Sequence, residues 1–260
     1  MIDVSNPDTI PVQIENAFLR YVDALPSDVV SKISEHKAEY TLDVQCAIED
    51  HMGPFKADAL YDDILFYLES DSIRCFHATR ILNDQTIWNN GLTANSWDKY
   101  SLVLEKALHE IKLSENTIER AVQCVQYEYN RKYSGRTPQI CFFSSLSLLA
   151  PGDSKGYDQF CQNVGGELAR WALKDKMPDV YQGLKAVGFP AIVEVEMPFS
   201  DIADYKKDSI AYQFITYYAA KNFWGKEFAI EFDGCTQKDI NPSQIIEIHH
   251  YGEEVLTDYE

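Results

Sequence analysis

The sequence predicts an α+β fold, with helices first and strands later. Three observations predict it. Apolar residues recur at helical spacing through the first 70 residues. Strict apolar/polar alternation dominates the last third. Between them there is no regular strand–helix–strand alternation of the kind a doubly wound parallel sheet requires.

The elements follow in order. Ile14, Phe18, Tyr21 and Leu25 mark a first helix that Pro26 ends. Ser27 can cap a second, carrying Val30, Ile33, Tyr40 and Val44, before Met52-Gly53-Pro54 interrupts the pattern. Leu60, Ile64 and Leu68 predict a third. A strand over Ser72–Thr79 comes next, then a short helix over Asp84–Asn90, with Asp84 as N-cap and Gly91 as the glycine past its end. Two helical patterns fill Trp97 to Tyr133: Leu104/Leu108/Ile111, and Ile118/Val122/Val125/Tyr129 with Ser114 as its cap. Gly135 and Pro138 open a strand over Gln139–Ser145, and Tyr157 to Asp175 reads as helical after Gly165-Gly166. Met177 to Val187 gives a short helix closed by Gly188. Strands are expected at Ala191–Met197, Phe228–Phe232 and Gln244–Ile248. Residues 1–70 read as an N-terminal helical segment and 71–260 as the main domain, unless the two form one continuous domain.

The chain has 260 residues, 13% of them aromatic, enough for a sizeable core. Lys and Arg number 23 against 41 Asp and Glu, a formal charge of −18. Such a chain lacks the basic field that drives non-specific nucleic-acid binding, although a local basic groove is compatible with it. The six cysteines are scattered, with no CxxC pair and no histidine at finger spacing, so no structural zinc site is expected. His249-His250 has no matching third ligand in the sequence, and the expected metal content is none. No basic-then-apolar leader and no membrane-length apolar run occurs, which predicts a cytoplasmic protein with no membrane partner.

The most informative segment is Cys75-Phe76-His77-Ala78-Thr79-Arg80-Ile81, followed by Gly91-Leu92. His77 and Thr79 sit two apart on a strand and so share one face, where they can address one ligand together. A satisfied core histidine beside a β-branched strand residue is the other reading of the same pattern.

Three pieces, in order, resemble the ADP-ribosyltransferase superfamily, in its histidine-type branch of poly(ADP-ribose) polymerases and bacterial toxins. The first is Phe76-His77-Ala78-Thr79-Arg80 with Ile87 to Gly91-Leu92, similar to that family's His strand and the I-x-x-x-G-L after it. The second is Gln139-Ile140-Cys141-Phe142-Phe143-Ser144-Ser145, which has Cys141 or Phe142 where the family usually has tyrosine. The third is Lys226-Glu227-Phe228-Ala229-Ile230-Glu231 followed by Ile240-Asn241-Pro242-Ser243-Gln244-Ile245-Ile246-Glu247-Ile248. The resemblance covers about Ser72 to Tyr251. It implies split antiparallel β-sheets around an NAD cleft, with NAD consumed as substrate. Glu227 is then the catalytic carboxylate, with Glu231 and Glu167 as competitors.

In such an enzyme the carboxylate stabilises an oxocarbenium-like ribose as nicotinamide leaves. His77 would donate to the adenosine-side ribose hydroxyls and Thr79 would add a hydroxyl contact. Arg80 would reach a phosphate or serve as a structural arginine, Phe142 or Phe143 would stack on nicotinamide, and Ser144 would support the ribose. No Rossmann G-x-G-x-x-G is present. Tyr205 to Trp224 interleaves aromatics with Lys206, Lys207 and Lys221 ahead of Glu227, either as an acceptor loop able to stack on bases or as an aromatic core element. The resemblance implies a mono-ADP-ribosyltransferase acting on single-stranded RNA or DNA or on protein, as a toxin or phage-defence effector with an antitoxin or regulatory partner. The alternatives are an NAD glycohydrolase, an RNA phosphotransferase-like enzyme of related fold, and an inactive NAD-binding or protein-interaction module.

Overall fold

The computed structural model describes residues 1–52, 54–94, 96–133, 138–149 and 160–250. Gly53, Gly135 and Tyr157, used above as breakpoints, lie outside them. The elements run α1 (Val12–Asp23), α2 (Ser27–Glu35), α3 (Thr41–Met52), α4 (Pro54–Leu68), β1 (Ser72–Ile81), α5 (Asp84–Asn90), α6 (Trp97–Glu110) and α7 (Glu115–Tyr133). They continue with β2 (Ile140–Phe143), α8 (Gly166–Leu173), α9 (Pro178–Ala186), β3 (Phe189–Pro198), α10 (Asp204–Trp224), β4 (Asp233–Thr236) and β5 (Ile245–His250). The class is α+β, as the patterning predicts. Among the described residues no helix is long and apolar enough to cross a membrane.

The chain forms two compact units. The first is Met1–Arg74 with Met197–Gly234, and the second is Cys75–Glu196 with the rest of the chain from Cys235. The helical segment 1–70 is therefore not closed on itself, because α10 belongs to its unit. In the first unit α10 packs against α1, α3 and α4. Phe18 stacks on Tyr218 at 6.0 Å between ring centroids, and Ile14, Ile33, Val44, Ile64, Leu68 and Phe214 are all buried. One expected helix from Ser27 to Val44 is two. His36 leaves the helical region at ψ 142°. The Asp43 carboxylate then accepts the N–H groups of Glu39 and Tyr40, at 2.7 and 2.8 Å, and so satisfies donors ahead of α3. Those bonds, that to Tyr40 foremost, hold its carboxyl below the usual aspartate range.

The second unit carries a five-stranded sheet in the order β4-β2-β1-β3-β5. This is one sheet among the described residues, where the resemblance implies two. β1 and β2 are antiparallel, with Phe76 opposite Phe143. β3 and β5 are antiparallel from Ala191 opposite His250 to Glu194 opposite Glu247, with a register shift that places Val195 opposite Ile245. Helices α6 to α9 share a core that includes Leu104, Leu108, Val125, Leu168, Leu173 and Leu184.

The strand expected over Phe228–Phe232 does not form. The strand here is β4, which begins at Asp233. The expected strand over Gln244–Ile248 is β5, which begins one residue later and ends two later. Two motif pieces far apart in sequence meet: Leu92 and Ile240 exchange backbone hydrogen bonds of 2.9 and 2.8 Å. Gly91 makes that approach possible. Its φ is +72°, and a Cβ there would stand 1.8 Å from the Ile240 carbonyl oxygen. The N-cap of α5 is Asn83, whose side chain accepts the Thr86 N–H at 2.9 Å, and not Asp84.

Candidate functional site

Two of the sequence motifs occupy neighbouring strands of the second unit's sheet, and the tail of the third lies on β5 at one edge. β1 carries His77 and Thr79, β2 beside it carries the second motif, and β4, which follows the third-motif glutamates, lies on the far side of β2. The antiparallel register puts Phe142 directly opposite His77. His77, Thr79 and Phe142 therefore share a face, as the i, i+2 spacing predicts for the first two.

The imidazole of His77 is oriented across the strands. Its Nδ1 lies 2.7 Å from the Cys141 carbonyl oxygen. A carbonyl only accepts, so Nδ1 carries the proton there, and Nε2 of the neutral ring is left as an acceptor. Burial holds the group below its ordinary pKa, against the opposing effect of the Cys141 hydrogen bond. The neutral ring is thus the favoured form at pH 7. This revises the expectation that His77 donates to a ligand: Nε2 of the neutral ring can only accept.

Other sequence-predicted residues fall differently. Phe143 points to the opposite face from Phe142, into the apolar cluster of Phe76, Ala78, Leu149, Cys161 and Ile192, with its ring 6.0 Å from that of Phe160. Adjacent strand residues face opposite ways, so only Phe142 can join His77. Phe142 is itself fully buried, as is Ser144 just past the strand end. Arg80 holds backbone. Its Nε and two terminal nitrogens donate to the carbonyls of Val187, Gly188 and Cys161, at 2.7, 3.0 and 3.3 Å. The structural reading of that arginine prevails over the phosphate contact.

Glu227 belongs to the first unit, exposed and outside any strand. It precedes β4 by six residues, and half-buried Glu231 by two. A glutamate that opens a late strand is expected at Glu227, and Glu231 lies closer to the start of β4. Glu167 sits in the first turn of α8, paired with Arg170 at 3.3 Å. The supposed acceptor loop is α10, a helix of 21 residues in which Phe214, Tyr217 and Tyr218 are buried. Its lysines are paired within the first unit: Lys206 with Asp233, Lys207 with Glu69 at 2.6 Å and Lys221 with Glu15 at 3.1 Å. The core reading of this segment is correct.

No protein-family model, curated protein or solved structure matches the chain.

A second constellation, also in the second unit, was not legible in the sequence. Buried His249 holds Nε2 2.8 Å from Oε2 of buried Glu194. Exposed Glu247 joins them, and one side-chain ligand atom from each lies within 4.8 Å of the others. In the sequence His249-His250 shows no third ligand, because the partners depend on the pairing of β3 with β5. His250 points elsewhere, its Nε2 2.9 Å from Asp84 Oδ2 and its ring 4.6 Å from that of Phe189.

Proposed function

We propose that the protein is a mono-ADP-ribosyltransferase that cleaves NAD and transfers ADP-ribose to a macromolecular acceptor. The observation that supports this reading is the pairing of β1 with β2, which carry the first two motifs, with His77 and Thr79 on one face and the Gly91-Leu92 turn hydrogen-bonded to Ile240 of the third.

In this reading Nε2 of His77 accepts a hydroxyl proton of the adenosine-side ribose, and Thr79 adds a hydroxyl contact on the same face. The fixed imidazole holds the substrate without reorganising during the reaction. A carboxylate, which the resemblance assigns to Glu227 with Glu231 and Glu167 as competitors, would stabilise positive charge developing on the nicotinamide ribose. Nicotinamide departs with the electrons of the glycosidic bond, and an acceptor nucleophile takes its place at the ribose carbon while losing a proton. The acceptor is protein or single-stranded nucleic acid, and α10 is not its stacking surface. A non-catalytic NAD-binding module is the competing reading, favoured by the absence of a tyrosine from the second motif and by the exposure of Glu227.

Incubation of cell lysate with adenylate-labelled NAD tests the proposal. Label should move to material that one of protease or nuclease, but not both, removes. Either Glu227→Gln or Glu231→Gln should lower transfer by roughly 10²–10³ while NAD binding survives, the scale for one electrostatic stabiliser. NAD binding with no transfer to any macromolecule would favour the non-catalytic module.

A further inference from the structure

We propose that Glu194, Glu247 and His249 form a three-ligand site for a zinc ion on the β3–β5 ladder, independent of the NAD reading above.

The argument begins with the register. Glu194 and Glu247 stand directly opposite each other in an antiparallel pair. Like charges in that position repel, and Glu194 is 2% exposed, where a carboxylate needs compensating partners such as the His249 imidazole 2.8 Å away. Position 247 is not condemned to a carboxylate by the fold. It faces solvent, and a neutral side chain there would relieve the repulsion. His249 shares the face of Glu247 by strand parity and reaches Glu194 diagonally. The register shift between Glu194 and Val195 falls at this point, and such irregularities re-aim side chains.

The donor set narrows the ion. One imidazole nitrogen and two carboxylate oxygens suit a borderline divalent metal. Calcium and magnesium favour more ligands, all of them oxygen. Three protein donors on neighbouring strands, two buried and one exposed, match an open zinc site in which the solvent side supplies the fourth ligand. The ion would neutralise two carboxylates and clamp β5 to β3.

The experiment uses the untagged full-length chain, stripped with chelator, dialysed and titrated with zinc chloride by calorimetry. Bound metal is then counted by mass spectrometry. The expected result is about one ion per chain, with Glu247→Gln weakening affinity roughly tenfold or more. Because Glu247 is exposed, that variant should keep the wild-type circular dichroism. In a hundredfold excess over Kd, zinc should raise the unfolding midpoint of the wild type by roughly 5–10 °C. The first unit has a histidine pair, His36 and His51, with Nε2 atoms 2.7 Å apart, so His36→Asn serves as a control and should bind zinc as the wild type does. Wild-type protein that takes up no zinc overturns the proposal without reference to any variant. So does Glu247→Gln that binds as tightly as wild type, or binding lost in His36→Asn alone.

Discussion

At the level of single residues, parity along β1 was enough to put His77 and Thr79 on one face. Which imidazole nitrogen faces a ligand was not legible, because the Cys141 carbonyl that fixes it comes from another strand 64 residues away. The burial of that imidazole leads to a pH dependence. His77 is held below its ordinary value in the folded chain, chiefly by burial. The unfolded chain therefore binds more protons between the two pKa values. The neutral group's contribution to stability is complete above about pH 6.5 and is lost as pH falls through the lower folded value. Urea unfolding at pH 7 and pH 5 should show a loss on acidification that is smaller in His77→Gln. An equal loss in the two proteins would remove His77 as its source. Arg80 calls for a different measurement. Arg80→Ala strips a charged donor from the carbonyls of Val187, Gly188 and Cys161, and should cost about 2–3 kcal/mol in denaturant unfolding. Affinity of the folded variant for NAD should be unchanged, which a phosphate-binding arginine would not allow.

Among the elements, periodicity located most helices and failed where one residue type suits two roles. Tyr205 to Trp224 mixes aromatics and lysines all round, so it carries no amphipathic stripe to announce a helix. Buried nearly throughout its middle, α10 needs apolar residues on several faces, and its lysines lie where acids of the first unit meet them. Phe214→Ala should therefore behave as a core truncation, costing about 3–5 kcal/mol in chemical denaturation. A loss below about 1 kcal/mol, the range of surface changes, would return the segment to the surface. The late strands were legible as alternation, but the first was misplaced. Phe228–Phe232 alternates as a strand does, yet the sheet takes up Asp233–Thr236 instead. Alternation reports a half-buried extended segment and does not report which segment finds a partner. Gly91 was legible as a helix terminator but not as a contact, since Ile240 approaches it from 149 positions along the chain. Gly91→Ala must displace the Ile240 backbone or leave the left-handed region, and the backbone conformation alone should cost about 1–3 kcal/mol of thermal stability.

Over the whole molecule, helices before strands gave the α+β class, but the chain does not divide where its patterning changes. The first unit recruits Met197–Gly234, and the second closes with the last strand. Such a division depends on long-range packing that no local period encodes. The acidity of the chain does bear on the acceptor. With a formal charge of −18 and the lysines of α10 paired, a long phosphate-tracking groove is disfavoured, and the proposed transferase would act on a short single strand or a basic protein. All of this rests on NAD being cleaved, and chromatographic detection of free nicotinamide after incubation of the purified protein with NAD tests it most directly. The expected result is nicotinamide release that depends on the wild-type protein and falls sharply in His77→Ala, with that variant's NAD affinity also weakened. NAD that binds at the wild-type site and is recovered intact, with lysate present as a source of acceptor, would contradict the transferase and leave a binding module.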